Sequence, residues 1–144
     1  MLLIAITLGF AMARLGGEDR ARQLTDAGDA LLGAVARAAE AAIISGRPRA
    51  LETDRDRYRV LEWRDGQWAQ AGDGGLADDT RLPDGFRFDT LSVADRGGSP
   101  AVILDSSGEI IMQDVVIVDQ SNANSVIVSL GPDGQLRSVL LSDD

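Results

Sequence analysis

One long helical pattern, apolar at its start and amphipathic afterwards, stops at residue 46 and does not return. Residues 1–13, MLLIAITLGFAMA, carry no charge, and they run directly into RLGGEDRARQLTDAGDALLGAVARAAEAAIISGRPRA. Between Glu18 and Ser45, Leu24, Ala27, Leu31, Val35, Ala38 and Ala42 recur at spacings of three and four, and Leu32, Ala39 and Ile43 widen the stripe. That is the period of one helix face, an apolar band that has to be buried against another element. The opposite face is expected to carry Arg20, Asp26, Arg37 and Glu40. Much of the apolar face is alanine, so a sheet or a neighbouring helix can approach closely. Gly46 suits a left-handed cap, and Pro48 prevents continuation.

Beyond Pro48 the chain reads as short strands. Arg57 to Trp63 is a strand candidate. Arg64-Asp65-Gly66-Gln67 is a hairpin turn with Asp-Gly at positive φ, and the return strand begins at Trp68. Trp63 and Trp68 then face each other directly or diagonally. Arg81-Leu82-Pro83-Asp84-Gly85 is a turn, after which Phe86, Phe88 and Thr90 share one face. Further strands are expected at 101–104, 109–112 and 115–118, with Asp105-Ser106-Ser107-Gly108 as a turn. A last pair, 126–130 and 136–141, is joined by Gly131-Pro132-Asp133-Gly134. About seven strands after one helix predict an α+β fold: a long N-terminal helix packed on an antiparallel β head, built as one sheet or as two small sheets. The helix takes residues 1–46, divided into an apolar part at 1–13 and an amphipathic part at 18–45, and the head takes 47–144.

The apolar start covers roughly 20 Å as a helix, against about 30 Å of hydrocarbon in a bilayer. Three readings stand. It is a signal peptide with Ala11-Met12-Ala13 as cleavage site, though without a basic n-region; or the end of a soluble core helix; or the remainder of a longer membrane helix that begins before Met1. The helical pattern passes Ala13 with only Gly16-Gly17 as a weak point, which favours the third.

The 144 residues include no Cys, no His and no Lys, and all 14 basic residues are Arg. Disulfides, Ser-His-Asp and Cys-His triads, Schiff bases and P-loop lysines are therefore excluded. No catalytic residue, cofactor or metal ligand is assigned. Asp73, Asp78 and Asp79 lie in an acidic Gly-rich loop over 72–80 without Ca²⁺-loop spacing, so a solvated loop is expected. The net charge of −9 speaks against nucleic acid as a partner.

Several segments together resemble the minor pseudopilin H subunits of type II secretion systems, which are related to the minor pilins of type IV pili. They are Ala38-Ala39-Glu40-Ala41-Ala42-Ile43 before Gly46-Arg47-Pro48, then Tyr58-Arg59-Val60-Leu61, Trp63-Arg64-Asp65-Gly66-Gln67-Trp68 and Arg81-Leu82-Pro83-Asp84-Gly85. The resemblance covers most of residues 1–90 and is looser beyond. It implies a pilin-like fold and a subunit that catalyses nothing, near the tip of a short periplasmic filament that helps move folded proteins through an outer-membrane channel. Implied partners are the other minor and major pseudopilins, inner-membrane lipid before assembly, and secreted cargo or the outer-membrane channel. The implied location is the inner membrane of a Gram-negative bacterium, with the head in the periplasm and methylation at the processed N-terminus. The prepilin peptidase site of the family, Gly-Phe-Thr followed shortly by Glu, is not found here; Gly9-Phe10 is followed by Ala11-Met12. Met1 is accordingly expected to be an internal or misassigned start.

Membrane and filament packing is expected from Leu2, Leu3, Ile4, Ile6, Leu8 and Phe10. Helix-to-head packing is expected from Leu24, Leu31, Val35, Ala38 and Ala42. A minor pilin of a type IV pilus is one alternative; an exported soluble periplasmic protein with a signal peptide is the other.

Overall fold

The computed structural model describes residues 2–71, 79–89 and 100–142, and for 2–17 the backbone alone. Helix α1 runs Leu2–Ser45, 44 residues without a break at Gly16-Gly17. At 1.5 Å per residue it is about 66 Å long. It ends as its sequence dictates: Gly46 takes φ +70° and its N–H donates to the Ala42 carbonyl at 3.0 Å.

Among the described residues ten strands come after it: β1 Arg49–Asp54, β2 Arg57–Arg64, β3 Gln67–Gln70, β4 Thr80–Arg81, β5 Phe86–Phe88, β6 Val102–Leu104, β7 Ile110–Met112, β8 Val115–Asp119, β9 Ser125–Leu130 and β10 Leu136–Leu141. They form two antiparallel sheets. The first has the order β3-β2-β1-β6-β7 with β4 also on β2; the second has the order β10-β9-β8-β5. The α+β architecture with two sheets therefore stands, with more strands than the pattern suggests.

The tight turns obey local chemistry. Asp65 and Gly66 both take positive φ, 53° and 80°, which sets Trp63 directly opposite Trp68 with ring centroids 5.0 Å apart. Gly134, at φ +80°, closes the β9–β10 hairpin.

Two local expectations need correction. Strand β1 has no signature in the residue pattern, yet it is the middle strand of the first sheet, paired with β2 over six residues and with β6 over three. Its turn into β2 has no glycine; Arg55 supplies the positive φ instead, at 48°. Ile43, placed by periodicity on the packing stripe, is 55% exposed. It falls beyond Ala42, where the buried face ends. Thr90 and most of the acidic loop, residues 72–78, lie outside the described residues.

The core is one layer between α1 and the sheets. Leu24, Leu31, Val35, Ala38 and Ala42 are all fully buried in it. They share it with Leu51, Tyr58, Val60, Val102 and Leu104 from the first sheet, and with Phe86, Phe88, Val115, Ile117, Val126 and Val128 from the second. Each buried Leu or Val contributes about 1.5–3 kcal/mol. Close approach to the second sheet depends on Gly28. A Cβ there would sit 2.6 Å from Ser138 Oγ and 2.8 Å from Val126 Cγ2. A helix-interior glycine costs about 1 kcal/mol relative to alanine, and here it lets the helix lie on β9 and β10.

Candidate assembly surface

The helix is fastened to the head by charge at one point that its own periodicity hides. Periodicity places Arg20 on the solvent face. Instead it is half-buried and donates twice to Asp119 at the end of β8, Nε to Oδ2 at 2.9 Å and Nη2 to Oδ1 at 2.8 Å. The guanidinium lies 4.9 Å from the centre of the Phe86 ring. It also lies against the turn before β5, where a Cβ on Gly85 would come within 2.6 Å of Nη2. Gly85 has φ +86°, a conformation that itself favours glycine.

Asp119 is buried and has further donors. The Ser121 N–H and hydroxyl reach Oδ1 at 2.9 and 2.8 Å. The Arg20 hydrogen bonds are the main cause that holds its carboxyl down to about 2, against the opposing effect of burial. A bidentate Arg–carboxylate pair also fixes direction, because both planar groups must align. Asp26, Arg37 and Glu40 are exposed as expected.

A second charged cluster lies just past the helix C-terminus. Buried Glu62 accepts from Arg64 Nε at 2.9 Å, from Arg47 Nη1 at 3.1 Å and from Arg49 Nη2 at 3.2 Å. The hydrogen bond from Arg64 leads the effects that lower its pKa. Near these cations the surface is apolar: Ile43, Ile44 and Trp63 are all exposed.

At the other end, Leu2, Leu3, Ile4, Ile6, Leu8 and Phe10 lie on the helical backbone, and their side chains are outside the described set. Arg20 is the first described side chain of α1 with a polar contact to the head, and Leu24 is the first buried one. Residues 2–19, about 27 Å of helix, precede the Arg20 contact. Among the described residues, no helix is long and apolar enough to cross a membrane.

Two hollows open beside this frame. One of about 360 Å³, mostly apolar, is lined by Gln23, Ala27, Ala30, Tyr58, Leu82 and Pro83. The other, about 740 Å³ and polar, gathers Arg55, Arg57, Arg81 and Arg87 around Asp56 and Asp84. Asp56 already accepts from Arg81 Nε at 3.0 Å. Among the described residues, no group of three or more Asp or Glu is placed to hold a metal ion.

Two solved structures share this architecture. The chain is similar to the minor pseudopilin EpsH from the type 2 secretion system of Vibrio cholerae, with a TM-score of 0.62 and 20% identity over 81% of this chain and 96% of that one. A crystal structure of the minor pseudopilin EpsH from the type II secretion system of Vibrio cholerae matches with a TM-score of 0.59 and 19% identity, over 85% of this chain and 96% of that one. No family model and no curated protein matches the sequence. At this level of identity the likeness is one of fold alone.

Proposed function

We propose that this chain is a minor pseudopilin, a structural and non-enzymatic subunit of a type II secretion pseudopilus. It would act near the filament tip and support export of folded proteins across the outer membrane. The observation that carries this reading is the long helix Leu2–Ser45 set against a two-sheet head, a chain whose fold matches that of EpsH over 81% of its length. The apolar start supplies the second element of the reading. Leu2, Leu3, Ile4, Ile6, Leu8 and Phe10 would hold the subunit in the inner membrane and then pack among the helices of other minor and major pseudopilins. Their apolar area stays out of water in both states, so transfer from lipid to filament involves little change in hydrophobic free energy. The head would lie in the periplasm.

The test is genetic. Deleting the gene is expected to block release of type II substrates into the medium. The wild-type gene is expected to restore release, and one carrying Ile6→Arg is not. Intact secretion together with loss of pilus-dependent motility would refute the secretion reading and favour a type IV pilus subunit. Intact secretion and motility, with a soluble periplasmic product cleaved after Ala13, would refute both filament readings.

A further inference from the structure

The two hollows beside α1 meet. Arg81, Leu82 and Pro83 line both of them. On the helix side of this rim the walls are mostly apolar, with Ala27, Ala30, Tyr58 and Leu82. On the other side Arg55, Arg57, Arg81 and Arg87 surround a space of about 740 Å³, a size usual for clefts that hold a ligand. The chain as a whole carries a net charge of −9, yet four of its 14 arginines converge here.

These arginines stand on a fixed frame. Arg55 takes φ +48° in the turn between β1 and β2, an uncommon conformation for a residue other than glycine. Its carbonyl accepts from the Phe88 N–H at 2.6 Å, and the Asp56 carbonyl accepts from the Leu82 N–H at 2.6 Å. The turn is thereby tied both to β5 of the second sheet and to the segment that follows β4 of the first. Asp56 engages two of the arginines, Arg81 Nε at 3.0 Å and Arg57 Nε at 3.8 Å. Arg57 Nη1 also lies 3.8 Å from Asp79. Arg55 and Arg87 are exposed, and among the described residues neither has an ion pair. Asp84 is the other carboxylate of the lining, and its carbonyl accepts from Arg20 Nη2 at 3.5 Å.

We propose that the joined hollows seat a short acidic segment of a partner protein, with an apolar side chain beside Ala30 and Tyr58 and carboxylates against Arg55 and Arg87. Guanidinium forks match planar carboxylates through paired hydrogen bonds. A free phosphate or other small anion would leave the apolar half empty. A nucleic-acid strand needs exposed aromatic faces for its bases, and Phe86 and Phe88 in this lining are buried. A long polyanion, or a second copy of the chain, would also meet the repulsion of the whole −9. A short segment meets mainly the local arginines, since more distant charges are screened at physiological salt. This inference concerns the head and is independent of the role of the apolar helix start.

Chemical-shift titration of the isotope-labelled full chain with synthetic peptides tests it. The probes carry one leucine, then one to four serines, then three glutamates. At least one is expected to bind with a Kd of about 1 mM or lower, and more weakly as salt rises. Exchanging its glutamates for glutamine should weaken binding at least about tenfold, and exchanging its leucine for serine at least about threefold. On the protein, Arg55→Asn combined with Arg87→Gln should cost at least about tenfold. Asparagine suits the left-handed turn, and an unchanged urea midpoint checks the fold. Ala30→Glu should weaken binding through the apolar half. Asp84→Asn should strengthen it about twofold or more, a gain that damage to the fold does not produce. Absence of binding by every peptide at about 10 mM overturns the proposal. So does binding that the double arginine variant leaves intact. Inorganic pyrophosphate that displaces the peptide and binds as tightly, with no effect of Ala30→Glu, overturns it in favour of a simple anion site. Self-association of the chain that the peptide reverses overturns it in favour of a second copy.

Discussion

The two sheets place opposite kinds of residue at their centres. In the second, β8 and β9 alternate cleanly: Val115, Ile117, Val126 and Val128 are fully buried against the helix, and Val116 and Ile127 are half-buried on the other side. In the first, every residue of the middle strand from Arg49 to Thr53 is buried, including Arg49, Glu52 and Thr53. The charges are matched across the strand pair, Arg49 opposite Glu62 and Glu52 opposite Arg59. One sheet is held by apolar area, which does not depend on direction. The other carries ion pairs that form in only one alignment. A one-residue slip of β2 against β1 would separate both pairs and leave buried charge unmatched. The first sheet thereby gains register from groups that add little net stability.

The sharpest way to break this contrast is Glu62→Ala, which leaves Arg49 buried without its carboxylate. The expected cost is about 3–5 kcal/mol, read as a fall in the urea midpoint. A loss below about 1 kcal/mol would show that the cluster is solvated and that the sheets do not differ in kind. In the second sheet the corresponding weak point is steric. Gly28→Val should push the helix off Ser138 and Val126 and cost about 2–3 kcal/mol; an unchanged midpoint would mean that the helix adjusts freely over β9 and β10.

Asp119→Asn comes next, at about 1–2 kcal/mol, since its partner Arg20 is partly solvated. Its pH dependence sharpens the comparison further. The Asp119 carboxyl sits at about 2 in the folded protein against an ordinary 3.8. The stabilisation is therefore complete above about pH 4 and is lost as pH falls toward 2. Acid unfolding curves of wild type and variant should converge over that interval, and parallel curves would refute the assignment. The smallest effect is expected at Ser138. Its buried hydroxyl has no hydrogen-bond partner among the described residues. Ser138→Ala should be neutral or stabilising by up to about 1 kcal/mol, and clear destabilisation would reveal a bound water or other partner.

The same contrast decides what the sequence makes legible. β8, β9 and β10 are readable because each is a short run rich in Val, Ile and Leu, with Gly131-Pro132-Asp133-Gly134 marking the turn between the last two. The helix and its stop at Gly46-Arg47-Pro48 are readable for the same reason. β1 is not. RALETD has no period of two, and the logic of its charges lies in Arg59 and Glu62, on the next strand. Its glycine-free turn at Arg55 gives no local signal either. Arg20 reads as a solvent-facing residue because helical periodicity says nothing about a carboxylate 99 positions away. Of the proposed assembly surface, the apolar start is plain from residues 1–13 alone. That β10 ends its sheet among the described residues becomes visible only with the strand order, because LRSVLL reads equally well as an interior strand.

The Arg20–Asp119 contact also has a mechanical side. A straight helix behaves as a rod, and this one continues about 27 Å on the N-terminal side of the pin. A tilt of about 10° at Arg20 would carry residue 2 sideways by about 5 Å, roughly the pitch of one helical turn. The paired guanidinium and carboxylate resist that rotation more than a patch of alanines would, because their planes must stay aligned. Where the far end of the rod arrives is thus set by an angle fixed at the rim of the second sheet.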